Sequence, residues 1–375
     1  MDDAQELLGR GQDIAQLRAD LDQYSILLIG PRRIGKTELL KRLVSHPGRG
    51  WRAVRVDLEG LDAIDGAVNR IAAKLAEAGL GPNAVGDALE RIREVSVGPV
   101  GLSREGREDP GPWARLEQAI AVALHALPND ERLALLLDEV PWWLDSLRQA
   151  GDDAQARQAL AQLRYLRDPK GQTPRLRMVL TGSVALAGLA RSLNASAEIN
   201  DLLPIELGPL DAAAGRTLFE EELLRRGIHC TAEAAKAAHK MAGGSPHWIK
   251  LLAQRIQGTT RAEASDVNDA VQRLMSPRLR HLFDDEGRAH LLRRHGPERG
   301  ARLRWMLTAA AGHDDGVPAQ ALLAVALSEA GLVRAEAQED LYTLVDEFYL
   351  EEVDGRYRFV NPLLRRWWLK YGSLP

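Results

Sequence analysis

Residues Leu27–Leu40 read LLIGPRRIGKTELL. The aliphatic run Ser25–Ile29 (SILLI) stops at Gly30, and a second glycine, Gly35, is followed by Lys36-Thr37. A short apolar run ended by glycine predicts a buried strand of a parallel sheet. Gly30–Thr37, GPRRIGKT, matches GxxxxGK[ST], and Glu38 onward (ELLKRLVSH) spaces its leucines as a helix does. A strand, this loop and a helix start make the context in which the motif is a phosphate-binding loop. Backbone N–H groups of Gly30, Pro31-Arg32-Arg33-Ile34, Gly35 and the helix start Lys36-Thr37-Glu38 form the expected phosphate cradle, save proline, which has no N–H. Gly30 and Gly35 permit the backbone angles and the close approach. Lys36 is expected to reach the β- and γ-phosphates, and Thr37 to offer its hydroxyl to Mg²⁺. Arg32 and Arg33 read as a solvated tip, with a phosphate or interface contact as the rival reading.

A second aliphatic run, Leu133–Leu137 (LALLL), ends in Asp138-Glu139. Such a strand tip is the expected Walker B site. Asp138 would hold Mg²⁺ beside the phosphate loop, and Glu139 would polarise an attacking water, which argues for hydrolysis rather than passive binding. Arg175–Leu180 (RLRMVL) predicts a third strand running into Thr181-Gly182-Ser183. Thr181, with Ser183 second, is the polar residue placed to bond the γ-phosphate or the lytic water. Arg52–Asp57 (RAVRVD) and Pro204–Leu207 (PIEL) read as further strands, and Asp65–Leu80 and Trp113–Leu127 as helices. Alternating strands and helices predict a three-layer α/β domain.

The 375 residues suggest two or three domains, and 45% hydrophobic with 27% charged residues is ordinary globular composition. A net charge of −4 gives no global field that would recruit nucleic acid. Cys230 is the one cysteine, so no disulfide framework is possible, and no Cys/His cluster has zinc spacing. MDDAQELLGR has no apolar signal core, and no apolar run approaches the roughly 20 residues of a membrane helix. A cytoplasmic protein without membrane partners is the expectation.

With these motifs in order, the chain resembles the STAND-type ATPases of the archaeal branch, relatives of the AAA+ proteins within the ASCE class. LGRGQDIAQL (Leu8–Leu17) is similar to the family's N-terminal motif beside the adenine. GPRRIGKTELL is close to its phosphate loop, LALLLDEV to its Walker B strand, MVLTGSV to its sensor strand and Gly243–Pro246 (GGSP) to its lid element. Val95–Leu102 (VSVGPVGL) is similar to an insertion such ATPases carry. The resemblance covers about residues 8–256. It implies that Gly9 and Arg10 lie near the base and that Pro246 packs on the adenine. From the residues alone, Pro246 is a proline that starts a helix after a Gly-Gly turn. The family often carries an arginine after the sensor strand. Here only Arg191 lies near, and Arg164 and Arg167 are the other candidates.

Beyond Asp211 the strands are expected to stop. Ala212–Leu224, Ala232–Met241, Pro246–Gln257 and Ala262–Leu274 predict an all-α lid. Arginines gather between Pro277 and Arg304, at 278, 280, 288, 293, 294, 299, 302 and 304, against Asp284, Asp285, Glu286 and Glu298. A solvated helix pair or a protein contact is the favoured reading over phosphate-backbone binding, because no aromatics interleave. The tail reads as three helices, then strands at Tyr349–Val353 and Tyr357–Val360 around Asp354-Gly355, a hairpin signal. That pattern predicts a winged helix, closed by Asn361–Tyr371. Its third helix, Ala335–Phe348, carries Glu336, Glu339, Asp340, Asp346 and Glu347 and no Lys or Arg, so it is expected to repel DNA.

The expected organisation is a P-loop ATPase domain over 1–210, a helical lid over 211–300 and a winged helix over 301–375. The expected ligands are ATP or ADP with Mg²⁺. Lys36, Glu139 and Thr181 would be catalytic, and Thr37 and Asp138 metal ligands. Expected partners are further copies of the chain and a separate effector protein, with DNA possible but not favoured.

Overall fold

In a computed structural model the described residues are 7–80, 110–168, 174–182, 186–283, 287–330 and 334–372. They form two compact units. One is built from Gln12–Ile29 and Lys36–Glu206, the other from Met1–Gly11, Gly30–Gly35 and Leu207–Pro375.

The first unit is centred on a parallel sheet of strands β1 (Ile26–Ile29), β2 (Trp51–Asp57), β3 (Arg132–Asp138), β4 (Leu176–Thr181) and β5 (Leu203–Glu206), in the order β2-β3-β4-β1-β5. The five strands expected at Ser25–Ile29, Arg52–Asp57, Leu133–Leu137, Arg175–Leu180 and Pro204–Leu207 are present, with ends shifted by a residue or so. β3 is buried from Leu133 to Asp138, as an interior strand covered on both faces must be. Among the described residues β2 lies at the edge, and its burial alternates only in part, with Ala53 and Val54 both buried. β2 and β3 pair over their full length, so that Asp57 stands beside Asp138 at their C-terminal ends. β1 pairs with β4 and β5, and Leu28 lies beside Thr181. The helices Ile64–Leu75 and Pro112–Ala126 supply apolar stripes to a core that also takes in Leu135, Leu137, Trp143 and Met178. The helix predicted over Asp65–Leu80 ends earlier, at Leu75, and gives way to a wider turn over Ala76–Leu80 in which Gly79 has φ 73°. A helix at Asp153–Arg167 was not read from sequence. Val95–Leu102 lies outside the described residues, as does most of the Gly/Pro-rich stretch at Gly98–Pro112.

In the second unit, helices Ala212–Leu224, Ala232–Ala242, Pro246–Arg255 and Ala264–Leu274 follow in the expected order. Strands do not stop at Asp211, however. Two-residue strands β6 (His229–Cys230) and β7 (Arg261–Ala262) pair in parallel between these helices. They are too short to leave a period in the sequence. The helix Arg288–Ala311 is bent at Gly296-Pro297, where proline removes a helical N–H and Gly296 takes φ 76°. β8 (Val317–Pro318), the helices Ala319–Ala330 and Arg334–Asp346, β9 (Leu350–Val353) and β10 (Arg356–Phe359) follow, and the helix Pro362–Tyr371 comes last. Asp354 and Gly355 turn the hairpin with φ 52° and 72°, the left-handed pair that a tight hairpin needs. β8 adds a third antiparallel strand in the order β8-β10-β9.

One continuous core runs through this unit, from Leu210 and Phe219 to Leu341, Trp367 and Trp368. Residues of the last helix hold the earlier helices directly. Asn361 Nδ2 donates to Ala242 O at 3.1 Å, and Lys370 Nζ and the Tyr371 hydroxyl both donate to Met275 O, at 2.8 and 2.6 Å. Trp248, Phe283 and Trp367 form an aromatic column, with centroids 4.5 and 6.0 Å apart. Each such stack contributes about 1 kcal/mol beyond its buried area.

The acidic helix does not present all its carboxylates to solvent, as the sequence had suggested. Asp340 is 1% exposed and accepts from Arg299 Nε and Arg302 Nε, each at 2.8 Å. Glu347 accepts from Arg294 Nε at 2.8 Å and contacts His295 Nε2 at 3.0 Å. Three members of the arginine cluster are thus turned inward onto the acids that were expected to repel DNA. Helical periodicity places charges on a face but does not say which neighbour that face meets. Asp284, Asp285 and Glu286 lie outside the described residues.

Burial alone would raise the Glu347 pKa, but Arg294 and His295 outweigh it and hold it at about 2. His290 is buried nearby. Burial, then the charge of Arg32, push it down to about 3 against the pull of Glu347. An unfolded histidine titrates near 6.5, so between about pH 6.5 and 3 only the unfolded chain takes up this proton, and stability falls as pH falls. Moving from pH 7 to pH 5 is expected to cost roughly 1–2 kcal/mol through this group. Urea titrations of wild type and His290→Gln at both pH values check it, and the variant should show the shallower pH dependence.

Candidate nucleotide-binding site

The first unit gathers its polar residues at the C-terminal ends of the strands, where side chains must leave an apolar sheet. Lys36 opens the helix Lys36–Ser45, whose buried face is Leu39, Leu40 and Leu43, and is itself 6% exposed. One residue on, Thr37 Oγ1 donates to Asp138 Oδ2 at 2.9 Å. The predicted Thr37–Asp138 pair therefore meets, across 101 residues of sequence. Asp138 is 1% exposed, and a carboxylate so buried must be neutralised. Arg55 supplies the charge, with Nε at 3.1 Å and Nη2 at 2.7 Å from the same Oδ2. Arg55 Nη2 also donates to Asp57 Oδ2 at 3.0 Å.

Two buried polar atoms here have no hydrogen-bond partner among the described residues: Asp138 Oδ1 and Thr181 Oγ1. Orphaned buried oxygens are costly, and each needs a reason. The donor set of a carboxylate and a hydroxyl in contact suits a small hard cation such as Mg²⁺, and the open lone pairs of Oδ1 fit such an ion or its water.

Glu139 follows Asp138 with φ 58°, a left-handed conformation that is rare for a side-chain-bearing residue and turns the chain from strand into helix. Pro141 sits in the first turn of that helix. The end of β4 lies against it. A Cβ at Gly182 would stand 2.4 Å from Pro141 Cδ and 3.5 Å from Glu139 Oε2. Glycine at 182 is thus what lets the Thr181 strand end approach the Asp138-Glu139 turn. Ser183 lies outside the described residues.

Arg55 was not singled out from sequence. The usable signal was its place two residues before Asp57 in an alternating strand, which puts both on one face. The three candidates for the arginine that the family carries after its sensor strand fare differently. Arg167 is 2% exposed and pairs with Asp201 at 2.7 and 2.8 Å, a structural role inside the unit. Arg191 is exposed and Arg164 half-buried. Glu38 is exposed and pairs with Lys41 at 2.7 Å, so its side chain turns to the helix surface.

The second unit holds the tip of the phosphate loop, Gly30–Gly35. A Cβ at Gly30, where φ is 150°, would lie 2.6 Å from Leu207 O. Arg33 is not the solvated tip expected. It takes φ 62°, donates from Nη1 to Leu282 O at 2.8 Å and lays its guanidinium 5.1 Å from the centre of the Trp248 ring. Ser245 Oγ donates to Arg33 O at 3.3 Å. Arg10, 4% exposed, donates from Nη2 to Ile34 O at 2.9 Å. Gly9 has φ 69°, and a Cβ there would meet that of Ala214 at 2.4 Å. Pro246 occupies the first turn of its helix after Gly243 and Gly244, both at positive φ. Pro31, Arg32 and Gly35 are half-buried, and Ile34 is buried.

No family model matches the chain, and no curated protein does. Among solved structures it is similar to the Walker-type ATPase PABY2304 of Pyrococcus abyssi, with a TM-score of 0.65 over 96% of this chain and 95% of that one, at 17% identity. The chain has the fold of an archaeal Walker-type P-loop ATPase. Weaker likenesses reach two other proteins. ORC2 of Aeropyrum pernix, solved in ADPNP–ADP complexes, gives a TM-score of 0.45 at 15% identity over 97% and 96% of the two chains. A STAND protein with a tetratricopeptide repeat sensor from Pyrococcus horikoshii gives 0.36 at 13% identity, over 98% of this chain and 43% of that one. The loop between β1 and the helix Lys36–Ser45 lies where the sequence reading places it.

The Gly182 contact is directly testable. Gly182→Ala drives a methyl group into Pro141 and should destabilise the protein by about 1–3 kcal/mol. A drop in the thermal midpoint, with little change for Gly312→Ala at an exposed position of φ −66°, is the expected outcome.

Proposed function

We propose that the chain is an ATP-binding and ATP-hydrolysing molecular switch, in which nucleotide state governs self-association or a partner protein. The observation that carries this reading is the Thr37–Asp138 contact at 2.9 Å beside two buried oxygens with no described partner, Asp138 Oδ1 and Thr181 Oγ1. A phosphate loop followed by that pair has the chemistry of a magnesium-nucleotide site.

In this reading the loop amides from Gly30 to Glu38, proline excepted, and the Lys36 ammonium receive the phosphates. Thr37 and Asp138 would hold Mg²⁺, which when bound neutralises phosphate charge. Glu139 orients and deprotonates the attacking water, and Thr181 bonds that water or the γ-phosphate. Gly9, Arg10 and Pro246 would border the base. Hydrolysis is slow, as suits a switch that must dwell in one state. The division proposed is an ATPase part over 1–210, a lid over 211–300 and a winged helix over 301–375. Three helices before an antiparallel hairpin support that last assignment. Among the described residues no helix is long and apolar enough to cross a membrane. A cytoplasmic setting, with a signalling or defence output through a separate effector, is part of the same reading. The rival, a DNA-acting ATPase, loses support because Arg294, Arg299 and Arg302 are engaged by Glu347 and Asp340.

Phosphate release with magnesium and ATP tests the proposal. Glu139→Gln should lower turnover by about 100-fold or more while ATP binding persists. Lys36→Ala should abolish binding measured by calorimetry. Absence of any heat from the wild type with magnesium and ADP or ATP would exclude the reading. Size exclusion with ATP, ADP and no nucleotide tests the switch, whose hydrodynamic size should change between states.

A further inference from the structure

Arg55 has no assigned part in the chemistry above, yet it makes the closest contact to Asp138. Its guanidinium bridges two carboxylates at neighbouring strand ends. Nε and Nη2 reach Asp138 Oδ2 at 3.1 and 2.7 Å, and Nη2 reaches Asp57 Oδ2 at 3.0 Å. The β2–β3 register places Asp57 directly beside Asp138, so both acids lie within one arginine's reach without any movement of the backbone. The two seats differ in solvation. The Asp138 side chain is 2% exposed and that of Asp57 is 44% exposed.

We propose that Arg55 is a tethered counter-cation. It neutralises Asp138 when the site is empty and shifts onto Asp57 on loading with magnesium nucleotide. The inference rests on the nucleotide reading above and adds a device to it. A buried carboxylate without a cation is strongly destabilising, so the empty site needs a charge of its own. The same charge on Oδ2 opposes a divalent ion at Oδ1, because two cations on one carboxylate repel. The described hydrogen bonds to the Asp138 side chain all fall on Oδ2, from Thr37 and Arg55, while Oδ1 has no partner among the described residues. Asp57 gives the displaced guanidinium a solvated acid to hold. The balance between the two seats then sets how much metal is needed to load the site. Arg55 is a positioning residue in this scheme, acting through Asp138.

The test uses the full chain, saturating ADP and Mn²⁺ as the probe, with free Mn²⁺ read by electron paramagnetic resonance. Arg55→Gln keeps much of the side chain's length and an amide donor but removes the charge, and should tighten Mn²⁺ by about tenfold. Arg55→Lys keeps the charge and should stay near wild type. Asp57→Asn removes the second seat and should weaken Mn²⁺. Thermal midpoints give an independent readout. Metal-free Arg55→Gln should melt below wild type and gain more from Mn²⁺ with ADP. If Arg55→Gln binds ADP but holds Mn²⁺ no tighter than wild type, the counter-cation assignment is wrong. If that variant does not fold, Asp57→Asn decides, and wild-type Mn²⁺ affinity there overturns the proposal. A wild type that binds no ADP at all, with or without Mn²⁺, sinks the nucleotide reading and this inference together.

Discussion

A negative charge buried at the end of an apolar strand organises the first unit. β3 is aliphatic up to Leu137 and then places Asp138 where only 1% of it meets water. Nothing in a leucine-rich sheet can solvate that carboxylate, so neighbouring strands and helices must supply what water does not. Thr37 arrives from the helix after β1, and Arg55 from β2. The left-handed turn at Glu139 takes the chain from β3 into the next helix, and the bare glycine at 182 lets the end of β4 lie against Pro141 in that helix. Strain at such positions persists only where the surroundings over-determine it.

The second unit solves a comparable problem with more partners. Asp340 and Glu347 are buried on the helix Arg334–Asp346 and just beyond it, and Arg294, Arg299 and Arg302 from the bent helix Arg288–Ala311 neutralise them. Breaking such pairs one-sidedly is more costly than never having had them. Alongside them the Trp248–Phe283–Trp367 column provides the apolar mass. Arg33 rests on the first ring of that column and also bonds Leu282 O. The tip of the phosphate loop is thereby fixed to the helical core of its own unit by side-chain contacts, not by its glycines alone.

Most of the fold was legible because its signals are local. A parallel strand buried on both faces must be a short aliphatic run, and such runs mark β1, β3 and β4. The phosphate loop, the Asp138-Glu139 strand end and the Asp354-Gly355 turn are each set by the backbone angles or chemistry of adjacent residues. Thr37 and Asp138 could be paired in advance because the loop motif fixes one and the strand end fixes the other. The strands β6, β7 and β8 were missed, since two residues carry no period, and the bend at Gly296-Pro297 was overlooked although its residues announce it.

What the sequence determined by itself was therefore the five strands of the parallel sheet, the hairpin, most of the long helices, their order and the residues carried at their ends. Only the tertiary structure decided which charges meet. Arg55 reads like any strand arginine until the β2–β3 register sets it beside Asp138. The acidic helix reads as a repulsive surface until Arg299 and Arg302 are found on Asp340. Arg33 reads as solvated until Trp248 lies beneath it. Propensity and periodicity act over a few residues, while electrostatic pairing acts across space, so it is fixed only once the chain has brought distant segments together.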